Sequence, residues 1–447
     1  MNTIGLDIGT TTVCAIVVDS DSGKVLKSVT VKNDSFIKSC ENYEKLQNPE
    51  IILNKCTDLL DSMIKDFSPI ACIGISGQMH GILYLDKDGN AQSPLYIWQD
   101  GSGNEAFNEN ETFASHLSAV TGHKMASGFG GTTFYCHTVL GKIPENAVKF
   151  CTVHDYVGMK LTGRKTPLTH TSDAASFGLF DLESFCFDTQ AIEKANLDFS
   201  FFPEVTGNFD VIGEYNGIPV SVALGDNQAS FLGSVSDMES SILINMGTGG
   251  QISYFTANPV KGVLETRPCC DNSYIAVGSS LCGGRAFEHL ANFLRETAEL
   301  ITGEKVDNVY PAIDAFLSSN PYHENPLEVS TRFDGSRENP EERGFVKNIG
   351  IDNFTPGHLI TGVLDGMVDE LKSMYTEKNP LHKTLVGSGN GIRKNPALAE
   401  RFSSSFGMPI KIPSHNEEAA FGAALSGMTA CSLKKSISEA QKLISYK

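Results

Sequence analysis

The sequence predicts an α/β protein made of two related domains that face one another across a cleft. Three observations carry this. A strand, Gly-Thr turn, strand pattern occurs twice, about half a chain apart. Short β-branched runs alternate with amphipathic stretches of helical spacing along the chain. The 447 residues, 40% hydrophobic, are enough for about three ordinary domains or two large ones.

The elements can be justified in order. Leu6-Asp7-Ile8-Gly9-Thr10-Thr11-Thr12 leads into the run Val13-Cys14-Ala15-Ile16-Val17-Val18, a hairpin. Residues 51–67 carry helical spacing at Ile52, Leu59, Leu60, Met63 and Ile64, and 70–76 then read as a short buried strand. Residues 220–224 form another strand, ending at Gly225-Asp226. Ile244-Asn245-Met246-Gly247-Thr248-Gly249-Gly250 repeats the first hairpin and continues as Gln251-Ile252-Ser253-Tyr254-Phe255. Helical spacing returns at 287–300, 362–375, 396–406 and 417–428, with a strand at 384–386. The stretch 331–344 is rich in Arg332, Asp334, Arg337, Glu338, Glu341, Glu342 and Arg343 and reads as a solvated loop. Gly9 and Gly247 lie 238 residues apart, which favours a duplication over two unrelated hairpins. No low-complexity linker is present, so the repeat places the boundary near 228–240 and the domains at 1–235 and 236–447.

Composition excludes several classes. Lys plus Arg number 35 against 53 Asp plus Glu, a net charge of −18. That excludes the basic footprint of a nucleic-acid binder and disfavours an anionic membrane surface. A small anion is still admissible, because backbone N–H groups and a metal can hold phosphates in an acidic protein. No apolar run approaches the ~18 residues of a membrane helix. Met1-Asn2-Thr3-Ile4-Gly5-Leu6-Asp7 has no signal-peptide character. The eleven cysteines are scattered without a C-x-x-C, which points to reduced thiols and a cytoplasmic protein.

Three segments suit phosphate, which needs N–H donors on a chain free of bulky Cβ groups. Asp7-Ile8-Gly9-Thr10-Thr11-Thr12 adds three hydroxyls and a carboxylate suited to Mg²⁺. Gly247-Thr248-Gly249-Gly250 is the second. Gly387-Ser388-Gly389-Asn390-Gly391 is the third, at a strand end where nucleotides bind in α/β sheets. None matches a P-loop or a dinucleotide fingerprint. Each alone reads as a tight turn; together they argue for a nucleotide clamped between domains. Phosphoryl transfer also needs a proton acceptor. Asp226, at a strand end beside the boundary, is the candidate, with a helix N-cap as the alternative. Ser76-Gly77-Gln78-Met79-His80-Gly81 and Trp98-Gln99-Asp100 suit a polyol: an aromatic face for C–H groups, amide and carboxylate for hydroxyls. Core burial of Trp98 and a structural hydrogen bond from His80 are the plainer alternatives. His154-Asp155-Tyr156 has no accompanying G-x-S-x-G and reads as structural or as a support behind a site. His415 to Glu418 lacks a second ligand group for a metal and reads as a helix start.

At these residues the chain resembles the FGGY carbohydrate kinases, members of the actin-like superfamily with duplicated ribonuclease-H-like domains. The likeness spans nearly the whole chain. Asp7-Ile8-Gly9-Thr10-Thr11 is similar to the first phosphate motif, Gly247-Thr248-Gly249 to the second, and Gly387-Ser388-Gly389-Asn390 to the adenosine motif. Gly225-Asp226-Asn227-Gln228-Ala229 resembles the segment of the catalytic base. Ser279-Ser280-Leu281-Cys282-Gly283-Gly284 resembles the nucleotide-side N-G-G, with Cys282 in place of Asn, and the start of the last helix resembles the family's closing helix. Gln78-Met79-His80-Gly81 is similar to the branch holding xylulokinases and sedoheptulokinases rather than glycerol kinases. Trp98-Gln99-Asp100-Gly101, Val153-His154-Asp155-Tyr156-Val157, Ser172-Asp173-Ala174-Ala175-Ser176-Phe177-Gly178, Gly387-Ser388-Gly389 with Asn395, and the loop Gly335-Ser336-Arg337-Glu338-Asn339-Pro340 tilt towards the seven-carbon side of that branch. Ser102 departs from the pattern, standing where the family usually has Arg.

The resemblance implies an ATP- and Mg²⁺-dependent ketose kinase, making sedoheptulose 7-phosphate. A five-carbon ketose kinase and a non-catalytic, nucleotide-dependent sugar sensor are the alternatives; the presence of Asp226 speaks against the sensor. It implies Asp226 as the base and Asp7 as the Mg²⁺ holder, through water. Gln78, Met79, His80, Trp98, Asp100, Asp226 and Asn227 would hold the sugar. Thr10, Thr11, Thr12, Gly247, Thr248, Gly283, Gly284, Gly387, Ser388, Gly389, Asn390 and Asn395 would hold the nucleotide. The partner is a small-molecule sugar, and a homodimer is left open.

Overall fold

The computed structural model describes residues 1–260, 262–319, 324–336, 339, 341–375 and 379–447. The first sheet opens with the antiparallel meander β1 (Asn2–Ile8), β2 (Thr12–Asp19) and β3 (Val25–Lys32). Helix α1 (Pro49–Phe67) begins two residues before the apolar spacing suggests. The Asn48 side chain accepts from the Glu50 and Ile51 amides, and Pro49 is pre-set for the first turn. β4 (Ile70–Gly77) returns parallel to β1. After a long insertion that includes α2 (Val153–Thr162), the sheet is completed by β5 (Val211–Tyr215), β6 (Ile218–Ser221) and the short β7 (Leu224–Gly225). The strand expected at 220–224 is thus interrupted. The Val222 amide donates to the Asp210 carbonyl at 2.8 Å, outside the ladder, and β7 resumes pairing with β4. α3 (Asp226–Ser234) follows directly.

The second sheet contains β8 (Ser241–Met246), β9 (Gly250–Thr256), β10 (Glu265–Pro268) and β11 (Tyr274–Ser280), all antiparallel neighbours. Helices α4 (Gly284–Thr302) and α5 (Pro356–Met374) lead to β12 (Thr384–Ser388), which runs parallel to β8. Then come α6 (Asn390–Arg393), α7 (Pro396–Phe406), β13 (Ile410–Lys411) and α8 (Glu418–Ala430). The strand order β4-β1-β2-β3 in the first sheet is matched in order and sense by β12-β8-β9-β11 in the second. The duplication read from two hairpins therefore extends to whole sheets, as in ribonuclease-H-like domains.

Helix α8 comes from the second half of the chain but lies on the first sheet. A Cβ on Gly5 would come within 1.9 Å of the Ala420 carbonyl oxygen, and one on Gly74 within 1.7 Å of that of Ala423. Only glycine admits helix backbone that close to strand backbone. Around α8 and α3 a shared apolar core joins Ile16 and Val18 of the first sheet to Leu243, Ile275 and Val277 of the second. Separate cores fill the far face of each sheet. A fourth, rich in aromatics (Tyr84, Phe134, Phe150, Phe177, Phe202), builds the insertion after β4. In 331–344, Arg332 pairs with Glu342 at 2.8 Å, and Arg337, Glu338 and Pro340 lie outside the described residues. All eleven cysteines are free. No helix among the described residues is long and apolar enough to cross a membrane.

Candidate functional site

Three strand ends converge at one corner of the first sheet. Parallel register sets Asp7 of β1 opposite Ser76 of β4, and Gly225 of β7 opposite Gly77. The Ser76 hydroxyl donates to Asp7 Oδ1 at 2.8 Å. Asp226 follows Gly225 as the first residue of α3, and its side chain makes no capping bond, so the N-cap alternative is not realised. Asp7 and Asp226 face a cleft of about 460 Å³, shared with Met79, His80, Trp98 and Arg267.

This corner is electrostatically loaded. Burial pushes the Asp226 carboxyl up to about 7, and the charges of Asp7 and Asp173 add to the push; His154 and Arg267 oppose it. Burial also raises Asp7, against the hydrogen bond from Ser76. His154 lies below, with Nε2 3.0 Å from Asp173 Oδ2 and both side chains closed to solvent. The contact has ion-pair distance without hydrogen-bond alignment. Burial alone would lower the imidazolium, but Asp173, Asp155 and Asp226 outweigh it and hold the ring at about 9. A Cβ on Gly77 would strike this ring at 2.7 Å. The His-Asp segment thus supports the site from behind, with His154 as a buried cation under the carboxylates.

The expected sugar-side residues divide. Met79, His80, Trp98 and Asn227 line the cleft. His80 stacks on Phe129, its Nδ1 is 2.8 Å from the Ser176 carbonyl, and burial lowers it to about 4, so its ring is neutral at pH 7. Trp98 is 47% exposed rather than in the core, and its Nε1 donates to Thr10 Oγ1 at 3.0 Å. Asn227 Nδ2 donates to Gln251 Oε1 at 2.6 Å, while its own Oδ1 is buried without a protein partner. Gln78 and Asp100 point elsewhere. Gln78 is buried, bonded to Thr10 and Gln47. Asp100 accepts from the Ser102 amide and hydroxyl and from the Lys45 amide. Ser102, the departure from the family pattern, is thus the partner of Asp100.

The nucleotide-side residues surround a second cavity of about 1340 Å³, which Gly247, Thr248, Gly284, Gly389, Asn390 and Asn395 all line. The Gly284 amide donates to the Gly247 carbonyl at 2.9 Å and that of Arg285 to Thr248 at 3.1 Å, so two segments read separately in the sequence are one structure. Gly389 has φ +79, and a Cβ there would meet the Met246 oxygen at 2.5 Å. Gly283 precedes α4 as its cap residue, and Gly387 and Ser388 end β12, Ser388 with a buried, unpartnered hydroxyl. Asn395 caps α7 through Leu398. Thr11 and Thr12 are exposed in the first turn. A Cβ on Gly247 would meet nothing within 4 Å, leaving a cradle open to a phosphate. Among the described residues no three His, Cys, Asp or Glu side chains converge on a metal position. One carboxylate at Asp7 suits Mg²⁺ that keeps water and phosphate oxygens as its other ligands.

Arg267 lines the cleft and Gln47 bonds to Gln78 and Thr10 without a sequence signal, each a single polar residue in a strand whose neighbours carry no motif. Asp173 and Gln251 lie in segments singled out in the sequence but without a role of their own.

Residues 2–233 match the FGGY family of carbohydrate kinases, N-terminal domain, and residues 242–431 its C-terminal domain. Mouse (Mus musculus) sedoheptulokinase is 27% identical over 474 residues, covering 95% of this chain and 96% of that protein. Xylulose kinase of Staphylococcus xylosus is 25% identical, covering 94% of this chain and 89% of its own. The crystal structure of gluconate kinase from Lactobacillus acidophilus superposes with a TM-score of 0.84 at 19% identity, over 100% of this chain and 92% of that one.

Proposed function

Because this chain belongs to the FGGY family of carbohydrate kinases, we propose that it uses ATP to phosphorylate a ketose, with sedoheptulose as the substrate and sedoheptulose 7-phosphate as the product. The observation carrying the reading is the placement of Asp226. Its carboxylate faces the cleft that Met79, His80 and Trp98 line, at the corner where Asp7 and the first phosphate turn end. Asp226 takes the proton from the attacking terminal hydroxyl. Thr10, Thr11, Thr12 and Thr248 hold the transferring phosphate. The cavity of Gly247, Gly284, Gly389 and Asn390 takes the rest of the nucleotide, with Gly283, Gly387, Ser388 and Asn395 shaping its walls. Mg²⁺, held by Asp7 through water, would neutralise phosphate charge. Asn227 Oδ1, buried and unpartnered, is placed to accept from a sugar hydroxyl. Closure of the two domains would exclude competing water.

The seven-carbon sugar is supported by the branch-like segments around Gln78, Trp98 and Asp173 and by the sedoheptulokinase relatives. Ser102 favours a second reading, a five-carbon ketose, because no arginine anchors this position. The test is a rate comparison on sedoheptulose, xylulose, ribulose and glycerol, scored by ADP release. Sedoheptulose should exceed xylulose in kcat/KM by at least about tenfold, ~1.4 kcal/mol, the worth of one hydrogen bond. Xylulose equal or better overturns the sugar and leaves the kinase.

A further inference from the structure

Three residues far apart in sequence, Thr10, Gln78 and Gln47, close a ring of hydrogen bonds at the first phosphate turn, and Trp98 ties that ring to the sugar cleft. Trp98 Nε1 donates to Thr10 Oγ1 at 3.0 Å. Thr10 Oγ1 donates to Gln78 Oε1 at 3.0 Å. Gln78 Nε2 donates to Gln47 Oε1 at 2.8 Å. Gln47 Nε2 donates to the Thr10 carbonyl at 2.8 Å. The chain of bonds starts at the Trp98 indole, which lines the cleft, and returns to Thr10, so both the hydroxyl and the carbonyl of that turn residue are fixed.

Gln47 is the closing member. It is fully buried and sits on the two-residue strand Leu46–Gln47, which pairs with Phe36–Ile37 on one side and Leu95–Tyr96 on the other. Its register partner is Leu95, three residues before Trp98. The same small sheet thus carries both Gln47 and the approach to Trp98. A hydroxyl has one proton. Once Thr10 accepts from the indole, that proton goes to Gln78, and each amide in turn has its orientation set by the one before it. Such a chain passes a change at either end to the other, because a broken link leaves a buried amide unsatisfied.

We propose that Gln47 is a positioning residue that locks the phosphate turn to Trp98, so that nucleotide on the turn is felt at the sugar seat. Gln47 does not line the cleft or the nucleotide cavity; it acts through Thr10 and Gln78.

Trp98 is the sole tryptophan of the chain, so its emission reports the cleft end of these bonds without interference. The full-length protein is titrated with Mg²⁺ and a non-hydrolysable ATP analogue, following Trp98 emission, while calorimetry measures analogue binding separately. The unsubstituted protein should show a saturable emission change. In Gln47→Leu that change should fall at least fivefold at saturating analogue while the analogue still binds. Gln47→Glu is nearly isosteric, keeps the acceptor for Gln78 and loses the donor to the Thr10 carbonyl; it should lose the response likewise, which separates the lost bond from a packing defect. A full response in either Gln47 variant, or none in the unsubstituted protein, overturns the proposal. The readout uses nucleotide alone, so the identity of the sugar does not enter it.

Discussion

The two phosphate turns share a backbone plan but are held in place differently. The first, at 9–12, is tied by side chains: Thr10 through Gln78, Trp98 and Gln47, and Gly9 through Asn33 Nδ2 to its carbonyl at 2.9 Å. The second, at 247–250, is held by main chain alone among the described residues, through Gly249, Gly284 and Arg285. The first turn therefore takes its shape from side chains beside the cleft that Asp226 faces, and the second from the backbone that opens α4. The two hairpins share a backbone plan, and the side chains that surround them differ.

The largest expected effect lies between the turns. Asp226→Asn should lower kcat by about 10² or more with analogue binding nearly intact, since general-base catalysis supplies roughly 10²–10⁴-fold. Near-normal turnover would remove Asp226 from the chemistry.

The turns themselves come next. Gly247→Val places its side chain in open cavity space and should weaken ATP binding at least about tenfold with an unchanged Tm. Gly9→Val is different, because its Cβ would meet the Thr12 carbonyl oxygen at 3.0 Å within its own hairpin. It should weaken ATP binding and lower Tm together, by about 2–4 °C per kcal/mol of strain. Identical behaviour of the two variants in calorimetry and melting would erase the contrast.

A smaller effect is the pH response. A base at Asp226 would work only when ionised, and burial holds its carboxyl at about 7, so kcat/KM should fall about tenfold per pH unit below that value. The stability sign is opposite to that of a salt-bridged carboxylate. A pKa raised in the folded state makes ionisation unfavourable to folding, so stability is lost as pH rises from about 4 to about 7. Asp226→Asn should accordingly melt higher than the unsubstituted protein at pH 8, with the gain vanishing near pH 4. A flat pH–rate profile between 5.5 and 8 would refute the shift.

Much of this architecture was legible in the sequence wherever the signal is local. α7 was read at its observed bounds, and the hairpins and β4 follow from periodicity and turn chemistry. The start of α5 was set six residues late, because its first turn is defined by the Thr355 cap and Pro356 rather than by apolar spacing. The break between β6 and β7 was missed because a single long-range bond, from Val222 to Asp210, decides it.

The sequence by itself determined that there are two related α/β halves, three phosphate-compatible turns and a carboxylate at a strand end. Each of these is written in neighbouring residues, through spacing, Gly placement and β-branched runs. Only the tertiary structure decided which polar groups meet. It turned Gln78 and Asp100 into ties within the scaffold, brought Arg267 across from the second sheet, and put His154 with Asp173 beneath Asp226. It also laid α8 on the first sheet, through backbone contacts at Gly5 and Gly74. The reason is physical. Hydrogen-bond partners and buried charges are chosen by distances across the fold, between residues up to hundreds of positions apart, and no local pattern records those distances.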